Sequence, residues 1–137
     1  MGNQKNIMKK IKSALISLSD KSNLKPLLRI LKKNKIKLIS SGGTFKTIKK
    51  LGFKCLEVSD FTGFQEILGG RVKTLHPKIY AGILNKRANK LHKKEIKSNN
   101  FENIDLIVVN FYPFEKTLSK TKNHNKIIEK IDIGGPT

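Results

Sequence analysis

Residues 104–110 read Ile-Asp-Leu-Ile-Val-Val-Asn, and this stretch decides the fold class. A short, nearly continuous β-branched run is typical of a central strand in a parallel sheet. Apolar runs at residues 14–19, 36–40 and 55–58 predict three further strands. Helical patterns separate these runs, and strands that alternate with helices indicate an α/β protein. The sequence therefore predicts a three-layer sandwich around a mostly parallel central sheet.

The segments between the predicted strands carry helical periodicity. Ser22 is the expected N-cap of the first helix. After it, leucines recur at the spacing of one buried helix face. These residues are Leu24, Leu27, Leu28 and Leu31. Residues 44–51 predict a second helix, which Gly52 ends. Residues 88–98 predict an exposed helix, and residues 126–131 predict a last short one.

Length and composition indicate one globular domain. The chain has 137 residues, of which 37% are hydrophobic, and this is enough to bury a core. No apolar run approaches the ~18 residues that span a bilayer, so no membrane partner is expected. The single cysteine, Cys55, lies in an apolar run and is interpreted as a buried residue in a reducing compartment. A cytoplasmic protein is expected.

The charge of the chain is strongly positive, at +19. Of its 29 basic residues, 26 are lysines, and they are scattered along the whole sequence. We interpret them as a solvated surface that reflects a biased composition, and expect no specific nucleic-acid partner. The alternative is a basic nucleic-acid binder, which would bind without regard to sequence and would weaken steeply with salt.

Polar clusters follow three of the predicted strands, at residues 17–21, 40–44 and 110–113. Ligands of open α/β sheets bind beyond the carboxyl ends of the strands. The Ser-Gly-Gly-Thr turn at residues 41–44 opens a helix, where backbone N–H groups and hydroxyls can hold a phosphate. Lys21, which ends the neighbouring strand, favours this interpretation over a plain turn.

Residues 69–78 read Gly-Gly-Arg-Val-Lys-Thr-Leu-His-Pro-Lys. In an extended segment, residues two apart point the same way, so Arg71 and Lys73 would address one ligand. His76 is interpreted as structural, with a general base as the alternative. The three histidines lack metal-site spacing, and no metal site is expected.

Five motifs together resemble the IMP cyclohydrolase domain of the bifunctional AICAR formyltransferase/IMP cyclohydrolase family. They are Ser-Asp-Lys at 19–21, Ser-Gly-Gly-Thr at 41–44, Gly-Arg-Val-Lys-Thr-Leu-His-Pro at 70–77, Asn-Phe-Tyr-Pro-Phe at 110–114 and Ile-Asp-Ile-Gly-Gly at 131–135. The resemblance implies a methylglyoxal-synthase-like fold over residues 14–137, after a basic extension at residues 1–13. It implies an enzyme of de novo purine biosynthesis that closes formyl-AICAR to IMP with loss of water, without a metal or organic cofactor.

The resemblance also implies roles for individual residues. Lys73 would assist proton transfer or polarise the formyl oxygen, and Tyr112 and Asp132 would orient the carboxamide and assist proton movement. The residues expected to bind the substrate or its phosphate are Ser19, Asp20, Lys21, Ser41, Gly42, Gly43, Thr44, Arg71, Val72, Thr74, Asn110, Ile133 and Gly134. Asn110 would contact the carboxamide of the substrate.

The chain departs from the family pattern at its C-terminus. The family continues into a helix that carries a catalytic lysine, and then into a formyltransferase domain that uses 10-formyltetrahydrofolate. Because this chain ends at Thr137, we expect an incomplete cyclohydrolase domain and assign no dimer.

Two alternatives to a working cyclohydrolase stay open. One is a remnant, or half of a split enzyme, that binds the ribotide phosphate beside a separate formyltransferase chain. The other is a methylglyoxal-synthase-like regulatory domain, which would bind phosphate without the Gly-Gly-Asp motif of the catalytic enzymes.

Overall fold

A computed structural model of the chain describes residues 9–111 and 122–125. Within these residues, four strands form one parallel sheet in the order β3-β2-β1-β4. The strands are β1 Ser13–Ser17, β2 Lys37–Ser40, β3 Leu56–Glu57 and β4 Leu106–Val109. Ala14 pairs with Leu38 on one side and with Leu106 on the other. The predicted parallel sheet is confirmed.

Five α-helices lie in the described residues. They are α1 Leu24–Lys33, α2 Gly42–Lys50, α3 Val58–Thr62, α4 Pro77–Leu84 and α5 Lys90–Ser98. The sequence analysis missed α3, α4 and a 3-10 turn at Leu68–Gly70. A signal for α4 was present, because proline favours the first position of a helix. The helix predicted at residues 126–131 lies outside the described residues.

Two hydrophobic cores cover the two faces of the sheet. Side chains alternate along a strand, so Ala14 and Ile16 face one core while Leu15 faces the other. The first core packs against α1 and α2, and its buried residues include Leu24, Leu28, Leu31, Leu38 and Ile48. The second packs against α3 and α4, through Ile39, Val58, Phe61, Ile79 and Ile104. The three-layer sandwich is confirmed.

Several predicted boundaries shift by one or two residues. The strand predicted at residues 14–19 ends at Ser17, before the loop that carries Lys21. Helix α1 has Asn23 as its N-cap, not Ser22, and the side chain of Asn23 makes no capping hydrogen bond. Helix α2 starts two residues earlier than predicted, so that Gly42 lies in its first turn.

The strand predicted at residues 104–110 is confirmed as β4 Leu106–Val109, while its central position in the sheet stays a prediction. Strand β4 pairs with β1 alone and lies at the edge of the described sheet. Leu106 and Val108 pack against the first core, whereas Ile107 and Val109 are 44% and 37% exposed. A β-branched run shows that a strand forms, but it does not show how many neighbours that strand has.

The extended conformation expected around Arg71 and Lys73 is wrong. Arg71 has right-handed helical angles, with φ −68° and ψ −22°, and residues 71–74 form a turn before α4. Gly69 and Gly70 precede the turn with left-handed angles, φ 63° and φ 81°. The alternation of side chains along a strand therefore does not apply here. Lys73 instead reaches the start of α2 from the turn at residues 71–74.

Within residues 9–111 and 122–125, no helix has the length and hydrophobicity needed to cross a bilayer.

Candidate active site

The first turn of α2 provides the backbone of the candidate site. Ser41 is the N-cap in an extended conformation, and Gly42 follows with a left-handed φ of 54°. The first N–H groups of a helix have no partner within the helix, and the aligned peptide dipoles make this end partially positive. The Ser41 side chain makes no capping hydrogen bond, and the first turn contains no acidic residue. The turn is therefore suited to an anion.

Two lysine ammonium groups converge on this turn. The Nζ atom of Lys73 lies 2.6 Å from the position that a Cβ on Gly42 would take. The Nζ atom of Lys21 lies 3.8 Å from the corresponding position on Gly43. The two lysines come from different loops, one after β1 and one before α4. The fold thus brings together three segments that the sequence had marked separately.

Thr44 holds the loop after β1 against α2. Its hydroxyl accepts a hydrogen bond from the Leu18 N–H and donates one to the Leu18 carbonyl, both at 3.0 Å. Thr44 is only 4% exposed. Sequence reasoning placed this hydroxyl on the phosphate, and its described contacts are instead with the loop that carries Lys21.

Asn110 holds the same loop from the end of β4. Its Oδ1 atom accepts hydrogen bonds from the N–H groups of Ser19 and Asp20, at 2.5 and 3.3 Å. Its side-chain nitrogen donates to the Asp20 carbonyl at 2.9 Å. The expected contact of Asn110 with the substrate carboxamide stays a prediction. The structure shows that these three hydrogen bonds fix the loop between Ser17 and Leu24 to the end of β4, and we call them the Asn110 clamp.

Asp20 and Glu66 are acidic residues next to the two lysines of the site: Asp20 precedes Lys21, and Glu66 contacts the turn that carries Lys73. The carboxylate of Asp20 accepts the Ser22 N–H at 2.9 Å, and hydrogen bonds from the backbone and side chain of Ser22 lower its pKa. Asp20 therefore carries a negative charge at neutral pH and shapes the loop. The second is Glu66, whose Oε1 atom occupies the space that a Cβ on Gly70 would need. Sequence reasoning missed Glu66, although an acid beside an Arg-x-Lys run is a signal in a chain with ten acids.

The remaining predicted residues are placed as follows. Arg71 is exposed, Val72 is half-buried and Thr74 is buried at 9% exposure. The other four, Tyr112, Asp132, Ile133 and Gly134, lie outside the described residues. Their predicted roles stay predictions.

His76 has the structural role that the sequence analysis favoured. Its Nδ1 atom accepts the Lys78 N–H at 3.1 Å and so caps α4. In the part of the chain that the structure describes, no three His, Cys, Asp or Glu side chains are grouped as a metal site would require.

Comparisons with known proteins agree with this architecture. A family model described as "MGS-like domain" matches residues 23–137. The bifunctional purine biosynthesis protein PurH of Acetivibrio thermocellus is 49% identical over 128 residues, which cover 93% of this chain and 25% of that protein. PurH of Prochlorococcus marinus (strain MIT 9301) is 50% identical over 125 residues, which cover 90% and 24%. The solved crystal structure of ForH has a TM-score of 0.77 at 28% identity, covering 92% of this chain and 64% of that one.

The chain therefore spans about a quarter of the length of the curated relatives that it matches. The resemblance found from the five motifs is confirmed, because both relatives are purine biosynthesis proteins of the bifunctional type.

Proposed function

The chain belongs to the MGS-like domain family, and from that membership we propose that it binds formyl-AICAR and closes it to IMP with loss of water. The proposal follows the curated relatives, which carry the name of a bifunctional purine biosynthesis protein. The substrate would come from a formyl transfer that uses 10-formyltetrahydrofolate, on a separate chain or domain, and the reaction would take place in the cytoplasm.

The convergence of Lys21 and Lys73 on Gly42 and Gly43 supports the proposal most directly. A ribotide carries a phosphate dianion, which needs compensating charge and several hydrogen-bond donors. The two ammonium groups provide the charge, and Lys21 together with the unpaired N–H groups of the helix start provides the donors. Glycines at the first two positions let the anion approach the backbone closely.

The chemistry asks little of the protein beyond orientation and proton movement. The carboxamide nitrogen and the formyl carbon belong to one molecule, so attack is intramolecular. The nitrogen–carbon bond forms, the formyl oxygen becomes a hydroxyl, and this hydroxyl then leaves as water. In our proposal Lys73 donates a hydrogen bond to the formyl oxygen, while Tyr112 and Asp132 orient the carboxamide. Lys21, whose Nζ atom is 3.3 Å from the Ser19 carbonyl oxygen, stays with the phosphate.

The test is turnover of formyl-AICAR to IMP, followed by ultraviolet absorbance, for the 137-residue chain and two lysine variants. Lys73→Ala should lose roughly 100-fold or more, the range typical for a group that assists proton transfer. Lys46→Ala is the matched control, because Lys46 is an exposed lysine of α2 and should keep the rate of the original chain.

Equal rates for Lys73→Ala and the unaltered chain would refute the role of Lys73. A folded chain that binds IMP without turning over formyl-AICAR would support the alternative, a phosphate-binding module that depends on a second chain.

A further inference from the structure

We infer that Glu66 is a positioning residue, whose carboxylate holds the ammonium group of Lys73 at the glycine pair Gly42–Gly43. Its importance for turnover rests on the proposed function, whereas its effect on Lys73 does not.

The geometry around Gly70 carries the inference. Glu66 lies in the connection between α3 and the 3-10 turn, and its Oε1 atom occupies the space that a Cβ on Gly70 would need. The Nζ atom of Lys73 lies 3.3 Å from the same Cβ position. Gly70 is buried and has a left-handed φ of 81°, a conformation that favours glycine. The absence of a side chain at Gly70 thus leaves room for a carboxylate and an ammonium group side by side.

The charges at the glycine pair explain why a carboxylate is needed there. The ammonium groups of Lys21 and Lys73 lie next to two consecutive glycines, Gly43 and Gly42. Like charges held this close together repel each other. Arg71, in the same turn as Lys73, adds a third positive charge on the exposed side. Without a counter-charge, the flexible side chain of Lys73 would gain by turning into solvent.

Glu66 and Lys73 do not form a direct ion pair. The ion pairs among the described residues are Lys37–Glu102 and Arg87–Asp105. Both charged groups lie within 3.3 Å of the same Cβ position on Gly70. The distance between them is therefore well within the ~8 Å over which charges interact at physiological salt. The carboxylate therefore attracts the ammonium group of Lys73 without taking up its hydrogens, which stay free for a ligand.

Competitive acylation of the lysines tests this directly, because an amine that turns into solvent meets the reagent more readily. The chain is treated with a trace of acetic anhydride at fixed pH, and acetylation at each lysine is measured by peptide mass spectrometry. In Glu66→Gln, Lys73 should react roughly 2- to 5-fold faster, the size expected for an exposed charge pair. Glu102→Gln is the matched control and should raise the reactivity of Lys37, its partner at 2.8 Å, without changing Lys73.

An unchanged Lys73 reactivity in Glu66→Gln, in an experiment where Glu102→Gln does change Lys37, would overturn the inference. Turnover supplies the second measurement: Glu66→Gln should lower kcat while the affinity for IMP stays the same. A chain without turnover, but with the expected acylation pattern, would reject the proposed function and leave the role of Glu66 standing.

Discussion

Replacing Gly42 with alanine is the perturbation that best probes the candidate site. Gly42 has a left-handed φ of 54°, and a Cβ there would lie 2.6 Å from the Nζ atom of Lys73. Both the backbone and the position of Lys73 must therefore respond to a single methyl group.

The two effects have separate magnitudes. An L-residue held in the left-handed region costs about 1–2 kcal/mol, so Gly42→Ala should lower the free energy of unfolding by that amount. Displacing Lys73 removes a hydrogen bond from a charged group to the formyl oxygen, worth about 1.5–3 kcal/mol. By the relation of about 1.4 kcal/mol per tenfold, kcat for formyl-AICAR should fall roughly 10- to 100-fold.

Gly43→Ala is the matched control one residue along the same helix. Gly43 is not among the glycines with positive φ, and its Cβ would lie 3.8 Å from the Nζ atom of Lys21, an ordinary contact. Alanine in this position should leave stability unchanged or raise it by up to about 1 kcal/mol. Urea unfolding and kcat at saturating formyl-AICAR compare the two variants. Equal stability and equal kcat for the two would refute the geometry described for the glycine pair.

Further outcomes are expected at three other residues, Thr44, Asn110 and Cys55. Thr44→Val leaves both backbone groups of Leu18 without a partner and should cost about 1–3 kcal/mol in urea unfolding, whereas Thr44→Ser should keep most of the stability. Asn110→Ala should speed hydrogen exchange at the Ser19 amide, and exchange at the original rate would count against the Asn110 clamp. Burial raises the pKa of the Cys55 thiol from 9.0 to about 11, so iodoacetamide should react one to two orders of magnitude more slowly at pH 8 than with the urea-unfolded chain. Because the folded state favours the neutral thiol, the stability that Cys55 contributes is complete below pH ~9 and is lost as the pH rises towards 11.

The sequence was sufficient to predict the three layers of the fold, but not the position of every strand and helix within them. Hydrophobic periodicity located the helices that become α1 and α2, because a buried face repeats with the helix period. The helix that becomes α5 was predicted from its polar composition as an exposed helix, and it has no buried residue. It did not show that β4 lies at the edge of the described sheet, since strand order depends on contacts between distant segments. The helix α4 was missed because its first two residues, Pro77 and Lys78, were interpreted as the end of a ligand motif.

For the candidate site, the sequence predicted which residues lie together better than it predicted their contacts. Lys21 and the two glycines were expected to hold the phosphate and Lys73 to act on the formyl group, and the structure places both lysines beside the glycines. The reason first given for Lys73, an extended segment, was wrong, since residues 71–74 form a turn. Thr44 was expected to contact a ligand, and its hydroxyl instead bonds to the backbone of the neighbouring loop. A motif shows which residues matter, whereas the hydrogen-bond partner of a hydroxyl depends on the fold.

The central claim is that the start of α2 binds a ribotide phosphate, and amide NMR tests it most directly. IMP and inosine differ only in the phosphate, so each is titrated into the 15N-labelled chain. IMP is expected to shift the amide signals of Gly42 and Gly43, while inosine at the same concentration should leave them in place. Equal shifts with inosine, or IMP-induced shifts confined to other parts of the chain, would contradict it.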